Sequence, residues 1–416
     1  NISNGSLHQT KTSAMQLFKK AVILACLCFS FSLSAQETPA PNFGKGLFNL
    51  VGKDSTWTMK IGARMQILAI ANWKESASGD FETQESNMLI RRARLKFDGF
   101  AYSPKLKYKL ELGLSNRDIS GGSIYTGNTP RYILDAVVMW NFHGNWELWF
   151  GQTKLPGNIE RVISSGNLQQ VDRSLLNSRF NIDRDMGVQL RHKTKIGKHF
   201  LMREKFAISQ GEGRNITAGN LGGHQFTSRI ELLPFGAFKS KGAYSGSDLK
   251  RENSPKLMIA ATYDSNQNAV KNRSNMGSYM ETDAGLFQTD INTWFIDGMF
   301  KYRGFSFMGE YSDRSAANAI AKNLDGSETG SVVQVGKGIN LQSGFLLKNN
   351  IEISGRLTKI TLDQVITGKV PETQYTVGVS KYIVGHKLKV QSDFSYLDSP
   401  GASNKLMYRL QLDLHF

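Results

Sequence analysis

A two-residue period that returns some sixteen times between residues 57 and 416 limits what this chain folds into more than any other feature. Its clearest instance closes the chain: Leu406, Tyr408, Leu410, Leu412, Leu414 and Phe416 alternate with Met407, Arg409, Gln411, Asp413 and His415. Alternation of this kind gives a β-strand one apolar and one polar face. A soluble sandwich turns the apolar face to its core, whereas a membrane barrel turns it to lipid and keeps a wet lumen.

Upstream strands favour the second arrangement. In residues 57–71, Trp57, Met59, Ile61, Ala63, Met65, Ile67 and Ala69 fall in one phase and Lys60, Arg64 and Gln66 in the other. Residues 74–86 read as a charged loop. In residues 87–101, Ala93, Leu95 and Phe97 oppose Arg92, Arg94, Lys96 and Asp98; in 105–114, Leu106, Tyr108, Leu110, Leu112 and Leu114 oppose Lys105, Lys107, Lys109 and Glu111. Arg91 breaks this phase, and headgroup level, a bulge or a protomer contact would each accommodate it. Strands at 132–142 and 146–153 bring Trp140, Phe142, Trp146 and Trp149 to one turn, which suits a membrane-interface girdle.

Alternation then stops across residues 155–183, a segment long enough to be functional, with Arg161, Arg173 and Arg179 and enough Leu, Ile, Val and Phe to pack against something. It resumes in eleven further strands, giving an all-β, antiparallel transmembrane barrel of about sixteen strands over residues 57–416. Long polar connections (211–224, 236–254, 265–289, 314–331) and short turns such as Arg303-Gly304 read as the two unequal ends of an outer-membrane barrel. That many strands enclose a water-filled channel.

The front of the chain agrees. Residues 1–14 read as a segment upstream of a start at Met15, and residues 15–35 as a secretory signal peptide: Lys19 and Lys20, an apolar core, then Ala35 before the expected cleavage. Residues 36–56 form an N-terminal periplasmic segment. Both cysteines, Cys26 and Cys28, leave with the leader, so disulfides do not hold the fold. The leader region holds three lysines and no acid, so the formal charge falls from +16 to +13 without it. Exported and basic, the chain suits small anions and outer-membrane lipids as partners and not nucleic acid. No run of about eighteen apolar residues supplies a membrane helix.

The terminal strand, ending on an aromatic residue, resembles the recognition strand of bacterial outer-membrane barrels; Tyr408, Leu410, Leu412, Leu414 and Phe416 would present it to the barrel assembly machinery. RRARLKFDGFAYSPKLKYKLELGLSN (91–116), WFGQTKLPGNIERV (149–162) and VDRSLLNSRFNIDRDMGVQL (171–190) resemble the phosphate-selective porin O and P family. The resemblance implies a homotrimeric, sixteen-stranded outer-membrane porin with an inward-folded constriction loop and basic residues that select anions. The chain departs from the family's arginine-rich lumen in carrying Asp98, Glu111, Asp135, Glu147 and Asp185 in the inward phase.

Arg64, Arg92, Arg94, Lys96, Lys107 and Lys109 form one expected basic wall, faced across the pore by Arg161, Arg173 and Arg179. Arginine presents a planar fork that matches phosphate oxygens. No catalytic, cofactor or metal motif stands out: the seven histidines are scattered, and Gly211, Gly213 and Arg214 occupy a polar loop rather than a strand-to-helix turn. His192 and His224, each near Ser or Thr, are the local candidates for surface hydrolysis and read as loop or strand-end residues. The expected function is therefore passive diffusion of small anions, phosphate or its relatives. The competing readings are a non-conducting surface barrel acting as adhesin or scaffold, and a soluble periplasmic β-protein.

Overall fold

The computed structural model describes residues 43–218 and 221–416, so the expected leader lies outside the described residues. Sixteen antiparallel strands form one closed barrel: β1 Thr58–Glu75, β2 Phe81–Ala101, β3 Ser103–Gly113, β4 Ile133–His143, β5 Trp146–Lys154, β6 Arg184–Ile196, β7 Phe200–Ser209 and β8 Gln225–Leu233, followed by β9 Lys256–Ala269, β10 Thr289–Tyr302, β11 Phe305–Ala316, β12 Gly336–Leu346, β13 Ile351–Leu362, β14 Glu372–Tyr382, β15 Leu388–Asp398 and β16 Lys405–His415. Each strand pairs with its sequence neighbour, and β16 pairs with β1 from Arg64↔His415 to Lys74↔Lys405. Closure leaves no edge with unpaired backbone groups, the condition for a sheet to sit in lipid. A short strand, Phe48–Val51, folds back on the start of β1. Among the described residues no helix is long and apolar enough to cross a membrane.

The phases read from sequence are the ones adopted. Met65 and Ile67 are each 44% exposed on the outer wall while Gln66 between them is fully buried in the lumen. On β16, Arg409, Gln411 and Asp413 are buried inside and Leu412 is exposed outside.

Arg91 occupies a β-bulge. Gln66 pairs with Arg92 and Ile67 with Ile90, so Arg91 is the extra residue between them. A bulge sets two successive side chains on one face, and Arg91 and Arg92 both reach Asp172 inside the barrel, at 2.6 and 3.1 Å. Beyond the bulge Met88 and Ile90 face outward.

Three expectations need correction. The charged loop at 74–86 is mostly strand: β1 and β2 extend to Glu75 and from Phe81, with Asn72 Nδ2 donating to Glu85 Oε2 across the ladder at 2.7 Å. Above the lipid a hairpin needs no apolar alternation, so the pattern fades before the strands do. Connection 236–254, grouped by its length with the long external loops, emerges at the short-turn end, as the eighth link of a strict meander must. It folds back into the lumen, where Phe238 and Ala243 pack with Ile159, Ile163, Met258, Met299 and Met308.

The girdle also loses a member. Trp140 and Phe142 are exposed outside as expected, but Trp149 stands in the opposite phase and lies beneath the Arg191 guanidinium, 3.5 Å from its ring centroid.

Because Ile67 faces lipid and Gln66 the lumen, Ile67→Arg is expected to destabilise the barrel by about 2–4 kcal/mol, read from denaturant unfolding in detergent.

Candidate functional site

The pore is shaped by residues 155–183. Glycine at 157 allows the chain to turn off β5, since a Cβ there would sit 2.5 Å from Ile182. Two short helices follow, α1 Ile159–Val162 and α2 Leu175–Phe180, the second capped by the Ser174 hydroxyl, which accepts from Asn177 N at 3.2 Å. One side of the loop is apolar: Leu155, Leu176, Phe180 and Ile182 pack on Ala207, Phe295, Ile360 and Leu362 of the inner wall. The other ties the loop to strands right around the barrel. Ile159 N donates to Asp297 (3.2 Å), Glu160 N to Glu310 (2.7 Å), Gln169 Nε2 to Glu352 (2.7 Å) and Val171 N to Asp393 (3.1 Å). Across the lumen, Ser165 Oγ accepts from Arg64 Nη1 at 2.8 Å.

The nine nominated basic residues do not form a wall of six faced by three. Arg92, Arg94, Arg161 and Arg173 line a single cavity of about 460 Å³ on the long-loop side of this constriction. Arg64 lies outside that lining, paired with Asp413 at 3.2 Å. Lys96 pairs with Asp98 (2.8 Å) and Lys109 with Glu111 and Asp135 (both 2.7 Å). Lys107 is exposed lower on β3, and Arg179 lies elsewhere, 2.9 Å from Glu372. Even within the cavity, Arg94 is held by Asp118 (2.6 Å) and Glu111 (2.9 Å), and Arg161 by Asp183.

The cavity takes most of its cations from elsewhere. Ten arginines and two lysines line it against Asp118, Asp183 and Glu212. Lys154 and Arg184 come from strand ends, Arg117 and Arg131 from the β3–β4 loop, Arg214 from the β7–β8 loop, and Lys271 and Arg273 from the β9–β10 loop. Several of these cations are fixed by main-chain carbonyls, not by acids. Arg173 donates to Glu160 O (2.9 Å) and Ile163 O (2.7 Å), Arg214 to Asp118 O, Lys271 to Glu212 O and Arg273 to Ser178 O. A carbonyl positions a guanidinium without cancelling its charge. Arg92 Nε, Arg131 Nε and Arg214 Nη1 are buried donors with no partner among the described residues, and buried donors call for an acceptor.

These loop cations are not legible in the sequence, because phase carries no information outside a strand. The signal present was Gly211 and Gly213 before Arg214: both adopt positive φ, and a Cβ on Gly213 would lie 2.8 Å from Asn275 O. Those glycines turn Arg214 toward the pore without cradling a phosphate themselves. The acids of the inward phase are engaged too: besides Asp98, Glu111 and Asp135, Asp185 accepts from Gly211 N at 2.7 Å and Glu147 from Trp149 Nε1 at 3.0 Å.

His192 stacks on Trp146 at 4.1 Å and lies 3.3 Å from Glu204. A closer Ser/His pair, Ser245 Oγ with His386 Nε2 at 2.9 Å, has Lys389 Nζ at 3.4 Å from the ring's Nδ1. An ammonium donating to Nδ1 leaves the proton on Nε2, so that nitrogen donates to the serine and is no base toward it.

A closed sixteen-stranded barrel, apolar outside, with a polar lumen narrowed by an inward loop, defines an outer-membrane porin and points to a channel. The sequence profile of the phosphate-selective porin O and P family matches residues 71–405, and the chain belongs to that family. Solved structures share the fold at low identity. An anion-selective porin from Comamonas acidovorans is 12% identical (TM-score 0.52, covering 86% of this chain and all of that one). Salmonella typhi OmpF in complex with daunomycin is 8% identical (TM-score 0.54, 89% and 100%). The outer membrane channel DcaP of Acinetobacter baumannii is 12% identical (TM-score 0.50, 89% and 100%). A search of curated proteins finds no match.

Asp172 holds Arg91 and Arg92 together at the loop's attachment to β2. Asp172→Asn leaves the buried Arg92 and the half-buried Arg91 without their carboxylate and is expected to cost about 3 kcal/mol, seen as a lowered unfolding midpoint.

Proposed function

We propose that this porin passes small anions, phosphate or its relatives, by passive diffusion, and that the cavity on the long-loop side sets the preference. The observation that carries this reading is the excess of twelve cations over three carboxylates around one space of about 460 Å³. An anion moving from the external mouth to the constriction loses water, and the arginine forks replace part of that solvation. Spreading the attraction over many weak sites lets the ion leave again. On this reading the chain is inserted by the barrel assembly machinery through its terminal strand, packs as a homotrimer among outer-membrane lipids, and recognises no nucleic acid.

Cations held by carbonyls contribute most to the field, while those paired with acids contribute least. Arg214→Ala/Arg273→Ala is therefore expected to move the zero-current potential in a salt gradient clearly toward cation permeation, and Lys96→Ala/Lys109→Ala to move it little. Equal shifts in the two variants would contradict the assignment. A barrel that inserts and conducts nothing would favour the scaffold reading.

Lys271 adds a pH dependence. Burial, reinforced by nearby Arg131 and opposed by Asp185 and Glu212, lowers its ammonium to about 8. The group is charged below that pH and neutral above it. Anion preference is expected to weaken as pH rises through about 8, and Lys271→Met to remove this step while lowering the preference at neutral pH.

A further inference from the structure

We propose that a second chamber, on the short-turn side of the constriction, binds organic anions that carry a flat aromatic or apolar body. This goes beyond anion diffusion and rests on a different set of residues. The chamber measures about 1010 Å³. Val162, Ser164 and Asn167 face it, while their neighbours Arg161 and Ser165 face the outer cavity, so one short stretch of loop separates the two spaces.

Its far wall is the connection between β8 and β9, folded back into the lumen. Gly246 N donates to Asn167 O of the constriction loop at 2.8 Å. Lys301 Nζ holds that segment through the carbonyls of Gly242, Ser245 and Ser247, at 2.8, 2.8 and 2.7 Å. The chamber is thus built by two inward segments that meet from opposite ends of the barrel.

Its chemistry differs from the outer cavity in one respect. Both are basic, with nine lysines and arginines against three carboxylates here. Among the described residues the outer cavity has no aromatic lining, whereas this one has Trp149, Tyr244 and Tyr382. Arg191 Cζ lies over the Trp149 ring, 3.5 Å from its centroid, and the side chain spends Nε and Nη2 on Gln189 Oε1, at 3.2 and 2.6 Å. Among the described residues it has no carboxylate in ion-pair range, and Nη1 makes no hydrogen bond. Tyr244 is fixed through its hydroxyl, which donates to Glu231 and accepts from Lys205 (2.8 Å) and Arg203 (3.2 Å). Glu231 is shared among Lys205, Arg203 and Arg229, the last also paired with Asp297, so two carboxylates meet three cations.

Inorganic phosphate needs only the cations. The aromatic faces gain nothing from it, but they stack on a planar ring whose charged group reaches Arg191 or Lys205.

Equilibrium binding to the full protein in detergent tests this, with phenyl phosphate and inorganic phosphate titrated in parallel by calorimetry. Phenyl phosphate is expected to bind about tenfold tighter, equivalent to about 1.4 kcal/mol. Trp149→Ala/Tyr244→Ala should bring it to the level of inorganic phosphate, and Trp149→Leu, which keeps apolar bulk without the ring, should lose most of the preference. Heat-modifiable migration identifies which variants are folded. Equal affinity for the two ligands in the native protein, or a preference that survives in every folded variant, overturns the proposal. Binding in detergent does not depend on conduction, so failure of the anion-diffusion reading would be seen separately, in the zero-current potential.

Discussion

Charge burial inside the barrel is the constraint on which the rest of the structure depends. An ionised side chain withdrawn from water costs several kcal/mol unless it is matched by a partner and hydrogen bonds. The inner wall carries many such groups, among them Asp297, Glu352, Asp393 and Asp413, all nearly or fully inaccessible. Residues 155–183 supply part of the match: main-chain donors for Asp297 and Asp393 and the Gln169 amide for Glu352. Strand neighbours supply the remainder, as in Arg229 with Asp297 (2.7 Å) and Arg409 with Asp393 (2.7 Å). Wall and loop therefore satisfy each other, and the loop is fixed across the lumen by the charges it covers.

The same logic explains why nominated cations became structural. Arg64, Lys96, Lys109 and Arg179 each meet a carboxylate. On the proposed reading the cations left to act on a solute are those that loops hold by carbonyls. Selectivity on this account comes less from the ladder of strand residues than from loops that lean over the external mouth.

Alternation made the barrel, its strand number and its inside and outside faces legible, because lipid and water impose opposite demands on successive residues. It also marked the irregular segment as special and flagged Arg91 as out of phase, although only the register identified a bulge. Partners across the lumen were not legible. Arg64 meets Asp413 at the other end of the chain, and Arg179 meets Glu372, contacts that no local pattern encodes. Cations in loops, such as Arg131 and Lys271, were invisible for a related reason: without a period, a basic residue in a polar loop looks solvated whichever way it turns. Trp149 was misplaced because an aromatic residue at a strand end suits a girdle or a lumen equally well.

Ion selectivity of the native protein in a planar bilayer tests the central claim most directly. With unequal salt on the two sides, the zero-current potential should have the sign of anion permeation, and added phosphate should reduce the chloride current by occupying the arginine-lined cavity. A potential of the opposite sign, with cations more permeant than chloride, would contradict the account.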